Sequence, residues 1–257
     1  MSFASSLPVE EVPGFPSGIR AVITSRGPAQ NRYGFNLAAH TGDDPQRVEE
    51  RRAALAQSIG AQPHWLNQVH GRQVVHLPAP APQDGDACVT HQPGVACAVM
   101  VADCLPVLMS LGDGRAVAAA HAGWRGLAAG VLEASLDALL EQASAGDGPP
   151  SVTAWLGPCI GPEHFEIGQE VVDAFGGWTG VNARHFGPSP RREDRWHADL
   201  QGLAMAAMMR WSARKNCPIQ WAAPPGGCTF SDTRNWFSYR REGVTGRMAA
   251  LIWRESL

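Results

Sequence analysis

The chain has 257 residues, 44% of them hydrophobic and 18% charged, with a formal net charge of −3. It is long enough to bury a substantial core, and too near neutrality to give nucleic acid or an anionic membrane an electrostatic reason to bind. No apolar run reaches the length of a membrane span, and the start MSFASSLPVEEVPGFPSGIR lacks the basic-then-apolar order of a signal peptide. The six cysteines are scattered with no Cys-x-x-Cys pair and read as reduced thiols of a cytoplasmic protein.

Residues 1–18, rich in proline and glycine, read as a loose lead-in to a single domain over 19–257. Residues 19–24 form a short apolar strand, followed by Ser25-Arg26-Gly27 and a polar loop to Asn36-Leu37. Asp43-Asp44-Pro45 starts a helix, with an aspartate cap and proline in the first turn, and Gly60 stops it. Residues 64–77 read as a pair of strands bent at Gly71, which places His70 at the bend. Residues 79–82 form a surface linker, and 95–101 are a continuous apolar strand buried on both sides.

The stretch 99–126 organises the rest. It holds Ala102-Asp103-Cys104-Leu105-Pro106, the turn signal Gly112-Asp113-Gly114, and His121-Ala122-Gly123-Trp124-Arg125-Gly126. Apolar runs flanking the turn predict a β-hairpin. A four-residue loop would place Cys104 opposite His121; a three-residue loop would pair Leu105 with His121, on the other face. Residues 124–142 then read as a helix, 145–150 as a linker, 152–156 as a strand and 169–175 as a short helix. A long loop over 176–195 has the length of a functional lid or a plain excursion. A helix over 198–214, a turn at 239–243 and a strand over 247–253 complete the chain. Strands and helices are interspersed without regular βαβ alternation, which predicts an α+β fold.

Three readings of the chemistry share the same atoms. In the first, His70, Cys104 and His121 hold one metal ion. Their long spacings exclude a zinc finger and suggest three protein ligands with an open fourth position. In the second, Cys104 is a nucleophile, His121 its base, and Asp103 or Asn67 the orienting group. The third, oxidative copper chemistry, lacks the His-x-His pairs of a multicopper cluster. Arg26, Arg125, Arg240 and Arg241 stand beside turn signals, and an arginine fork suits phosphate. No loop for ATP or NAD is present.

These motifs, together with Asn67-Gln68-Val69-His70-Gly71, Gly157-Pro158-Cys159-Ile160-Gly161, His197-Ala198-Asp199-Leu200 and Phe237-Ser238-Tyr239-Arg240-Arg241, stand in one family's order. From residue 19 to the C-terminus the chain resembles the laccase-domain (YfiH-like, polyphenol oxidase-like) purine nucleoside phosphorylases. The resemblance implies one domain of α/β/β/α layers with mixed sheets. It implies zinc on His70, Cys104 and His121, with copper as the alternative metal. It also implies phosphate-dependent cleavage of adenosine, inosine, guanosine and methylthioadenosine, with accompanying adenosine deamination; relatives have also been described as cysteine hydrolases acting on peptidoglycan precursors. On this reading Asp103 shuttles protons, and Arg125, Arg26, Asn36, Gln68 and Arg240 bind substrate. The loop at Arg26 departs from the family's Gly-Gly-Val-Ser. Monomer and homodimer are both compatible with the sequence.

Overall fold

The computed structural model describes residues 7–28, 31–80, 82–143 and 149–256. Most of the 145–150 linker, Ala81 of the earlier linker, and Ala29 and Gln30 of the arginine loop lie outside the described residues. In chain order the elements are β1 (Val9–Glu11), β2 (Ile19–Thr24), α1 (Pro45–Ile59), β3 (Gln62–His64), β4 (Val74–His76), β5 (Ala87–Thr90), β6 (Val95–Val101), β7 (Leu105–Leu111) and β8 (Val117–Ala122). There follow α2 (Trp124–Ala129), α3 (Val131–Leu140), β9 (Val152–Leu156), β10 (Glu166–Ile167), α4 (Gln169–Ala174), β11 (Phe186–Pro188) and β12 (Trp196–Ala198). The last are α5 (Leu200–Lys215), β13 (Ile219–Trp221), α6 (Tyr239–Glu242) and β14 (Met248–Arg254).

Two mixed sheets stack face to face. The first has the order β1-β2-β14-β6-β3 and the second β13-β9-β7-β8-β5-β4, while β10-β12-β11 form a small antiparallel sheet. Strand alternation explains the layering. Along β6, Cys97, Val99 and Val101 point into the space between the sheets, with Leu108, Val117 and Ala119 of the second sheet. Ala96, Ala98 and Met100 point the other way, toward Leu55 of α1. On the outer face of the second sheet, Val107, Met109, Ala118 and Ala120 pack under Leu132, Leu136 and Leu139 of α3 and Leu203 and Met208 of α5. The architecture is therefore α/β/β/α, as expected. Small alanines along β8 let α3 approach closely.

The aspartate cap expected before Pro45 is present, and a second cap, at Asp199, shifts the start of the helix expected over 198–214 to Leu200. Asp44 accepts a hydrogen bond from Gln46 N at the start of α1, and Asp199 accepts one from Gly202 N at the start of α5. Four expectations need correction. The lead-in contributes β1, which pairs antiparallel with β2. The helix over 124–142 is two helices, because Gly130 takes a left-handed φ of 90° that ends one and begins the next. The long loop over 176–195 contains a 3₁₀ turn and β11. The two strands of 64–77 do not pair with each other: β3 joins β6 in the first sheet and β4 joins β5 in the second. The chain therefore passes from the first sheet to the second twice, over 65–73 and over 102–104, and returns between β5 and β6 and again between β13 and β14.

Candidate metal centre and active-site cleft

Both passages from the first sheet to the second deliver a candidate ligand. His70 lies in the first with φ 60°, and Cys104 ends the second, directly after Asp103 at φ 90°. His121 comes from β8. Their donor atoms all lie within 4.8 Å of one another, and the two imidazole rings meet edge-on at 4.9 Å.

The hairpin register differs from expectation. Pro106 opposes His121 and Ser110 opposes Val117, a slip of two residues from the four-residue loop. The turn is longer because Leu111 N bonds Ala116 O, Asp113 Oδ1 captures Arg115 N, and Gly112 N pairs instead with Ser151 O. A slip of two preserves the face, so Cys104 and His121 still meet.

Asp86 holds the centre in place, and sequence reasoning missed it. Its buried carboxylate accepts from His121 Nδ1 at 2.8 Å and from the backbone N–H groups of Val69, His70 and Gly71 at 3.2, 2.9 and 2.6 Å. Its carbonyl accepts from His121 N. One side chain thus shapes the His70 loop and fixes the His121 tautomer, leaving Nε2 for the site. Neither Asp103 nor Asn67 orients His121. Asn67 instead bonds Asp84 at 2.6 Å. The only signal available in the sequence was an acidic residue beside a glycine turn.

The electrostatics follow from this arrangement. Burial alone would lower the His121 pKa, but the Cys104 thiolate and the Asp86 bond raise it to about 9. Burial would raise that of Cys104, but the His121 charge and hydrogen bonds from both histidines lower it to about 6. Gly123 completes the cradle. A β-carbon there would stand 3.1 Å from Cys104 Sγ, 3.1 Å from His70 and 3.7 Å from His121. One thiolate and two imidazoles around a space that a β-carbon at position 123 would crowd fit a zinc or copper ion.

The cluster opens into a cleft of about 570 Å³, which also takes Asp103, Gln68, Arg125 and Arg240 of the expected set. Both ends of the Gln68 amide are engaged by the Met100 backbone, Oε1 accepting from Met100 N at 2.7 Å and Nε2 donating to Met100 O at 2.9 Å. Both Asp103 oxygens are occupied, by Thr229 Oγ1 at 2.6 Å and Arg240 N at 2.7 Å. Arg125 lies over Trp124 and Arg240 over Phe165. Arg26 and Asn36 do not line the cleft. Arg26 pairs with Glu242 at 3.0 Å. Asn36 is buried and bonds Ala38, Thr41, Asp43 and the Arg247 backbone. Arg241 is likewise absorbed by Glu242 and loop carbonyls. His40, Trp124, Phe165, Tyr239 and Arg247 are cleft residues the sequence did not single out.

Comparison with known proteins places this site in context. A purine nucleoside phosphorylase of Pseudomonas aeruginosa is 44% identical over 93% of this chain and 94% of its own length. Purine nucleoside phosphorylase YfiH of Escherichia coli is 41% identical over 93% and 95%. The crystal structure of a Neisseria meningitidis protein superposes with a TM-score of 0.84 at 38% identity, covering 97% of this chain and all of that one. The family profile described as multi-copper polyphenol oxidoreductase laccase matches residues 20–255. The chain belongs to this laccase-like family, with YfiH-type purine nucleoside phosphorylases among its relatives.

Proposed function

We propose that the protein is a zinc-dependent purine nucleoside phosphorylase acting on adenosine, inosine, guanosine and methylthioadenosine, with adenosine deamination in the same cleft. The observation that carries this reading is the convergence of His70, Cys104 and His121 at one end of a cleft that also presents arginines and aromatic rings. The names of the relatives support the same activity. When bound, the ion supplies a Lewis acid with one open position. Asp86 keeps the His121 Nδ1 proton, so that Nε2 faces the site. Trp124, Phe165 and Tyr239 offer flat faces to a purine. Arg125 and Arg240 steady anionic oxygens while phosphate attacks the ribose anomeric carbon and the base leaves with the bonding electrons. With water in place of phosphate, attack on the purine ring expels ammonia. Asp103, braced at both oxygens, acts as a positioning residue in this scheme rather than as a proton shuttle. A single catalytic domain from residue 19, a cytoplasmic location, and a monomer or homodimer complete the proposal.

The test is metal analysis of purified protein together with an assay for phosphate-dependent release of free base. Cys104→Ala is expected to lose metal and phosphorolysis together. Full turnover in a metal-free variant would overturn the scheme. The Asp86–His121–Cys104 relay favours one second reading, a cysteine hydrolase. That enzyme would be alkylated rapidly at Cys104 and indifferent to chelators. Among the described residues only one group of three metal-binding side chains exists, which gives a multicopper oxidase no second cluster.

A further inference from the structure

Three arginines line the cleft, and they differ in how they are held. Arg125 and Arg240 are exposed to water. Arg247 is largely withdrawn from it, and burial works against its charge while the charges of Cys104 and Asp103 favour it. Elsewhere, the half-buried arginines Arg26, Arg51 and Arg241 each meet a carboxylate, at 3.0, 2.5 and 2.6 Å. Arg247 has no such partner among the described residues. A desolvated cation without a counter-ion is costly, and it points to an anion that completes the site.

The hydrogen bonds show which edge is open. Arg247 Nη1 donates to Thr245 O at 2.9 Å and Gly246 O at 3.0 Å, and its backbone N donates to Asn36 Oδ1. The side chain lies alongside Tyr239, 5.7 Å from the ring centre. These contacts fix the guanidinium while Nε and Nη2, the fork that grips two oxygens at once, donate to nothing among the described residues. Arg52 adds to the local field. It is part-buried, also lacks an ion pair among the described residues, and bonds Met100 Sδ behind the cleft wall. His40, at the rim, registers that field: partial burial and then the charges of Arg247, Arg52 and His70 hold its pKa below the ordinary value. Asp103, the carboxylate of the same wall, is directed elsewhere, with one oxygen accepting from Thr229 Oγ1 and the other from Arg240 N, and makes no ion pair with Arg247 among the described residues.

We infer that Arg247 is the principal phosphate-binding residue of the cleft, gripping two oxygens of inorganic phosphate through its Nε–Nη2 edge. The exposed Arg125 and Arg240 are accessory. This inference rests on the phosphorylase reading for its role in turnover, but not for the binding itself.

The experiment titrates the metal-loaded protein with inorganic phosphate by calorimetry and measures the KM of phosphate and of inosine separately. Arg247→Lys, which keeps charge but loses the fork, is expected to weaken phosphate binding about tenfold, and Arg247→Met further, on the scale of a lost charge-assisted hydrogen bond. The KM of phosphate should rise by the same factor while that of inosine stays within about twofold. A thermal melt matching the wild type shows that the variants fold; the lysine variant keeps the charge should the methionine one unfold. Unchanged phosphate affinity in both variants, a change confined to the KM of inosine, or no phosphate binding by the wild type would each overturn the inference. Phosphate binding that depends on Arg247 in a protein that releases no base would leave the inference standing and remove the phosphorylase reading instead.

Discussion

Two residues shape the proposed centre without being among its proposed ligands. Gly123 gives way to the three ligand side chains, so Gly123→Ala inserts a methyl group among them. The expected outcome is a folded protein with metal content and turnover near background, measured by elemental analysis beside a melting curve. Asp86 is fully buried, and its carboxylate carries four hydrogen bonds. Asp86→Asn keeps the shape, removes the anion and turns a donor toward its donors. It is expected to weaken metal binding roughly 10–100-fold in a chelator competition. His70, Cys104 and His121 were legible in the sequence because each sits in a motif with its own turn signal. Asp86 was not, since a buried acceptor declares itself only once the distant N–H groups it serves have been assembled. Arg26 and Asn36 show the converse. Their neighbourhoods looked like a ligand loop, yet their partners are Glu242 and the chain's own turns.

Among the elements, the capped start of α1 is legible in the sequence, while the break at Gly130 and the sheet pairings are not. A cap depends on residues three positions apart, as in Asp199 and Gly202. Asp199→Ala is expected to cost about 1 kcal/mol, seen as a fall of roughly 2–4 °C in melting temperature. Pairing depends on what competes for each N–H. The hairpin turn lengthened because Ser151 of a third segment took the Gly112 N–H, and nothing local to the turn announces that. The segment 64–77 reads as a pair of strands bent at Gly71 without revealing their partners: its apolar pattern fits a strand in either sheet, and only the stacking of the sheets assigns one strand to each.

Across the whole molecule, part-buried carboxylates tie distant segments together and make stability depend on acid. Burial tends to raise the pKa of Asp43, but hydrogen bonds from Arg51 and Asn36 win and lower it. Burial likewise opposes Thr245, Arg241 and Arg26 at Glu242, and again the net direction is down. A carboxylate whose pKa is lower folded than unfolded contributes stability that is fully present above its unfolded value and lost as pH falls through the folded one. The two carboxylates are therefore expected to make the urea midpoint fall steadily below about pH 4, beneath any earlier decline from histidines such as His40 whose pKa is lowered in the fold. In Asp43→Asn the midpoint should be lower near neutrality and the acid limb shallower.

The two passages of the chain from the first sheet to the second each carry one of the three donors, and the third donor stands on the second sheet. An ion seated there works as a rivet through the sandwich: prising the layers apart and releasing the ion become a single event. Saturation at a hundred times the dissociation constant then adds about 2.7 kcal/mol of resistance to unfolding. Loading with zinc should raise the melting temperature of the wild type and leave that of Cys104→Ser where it was.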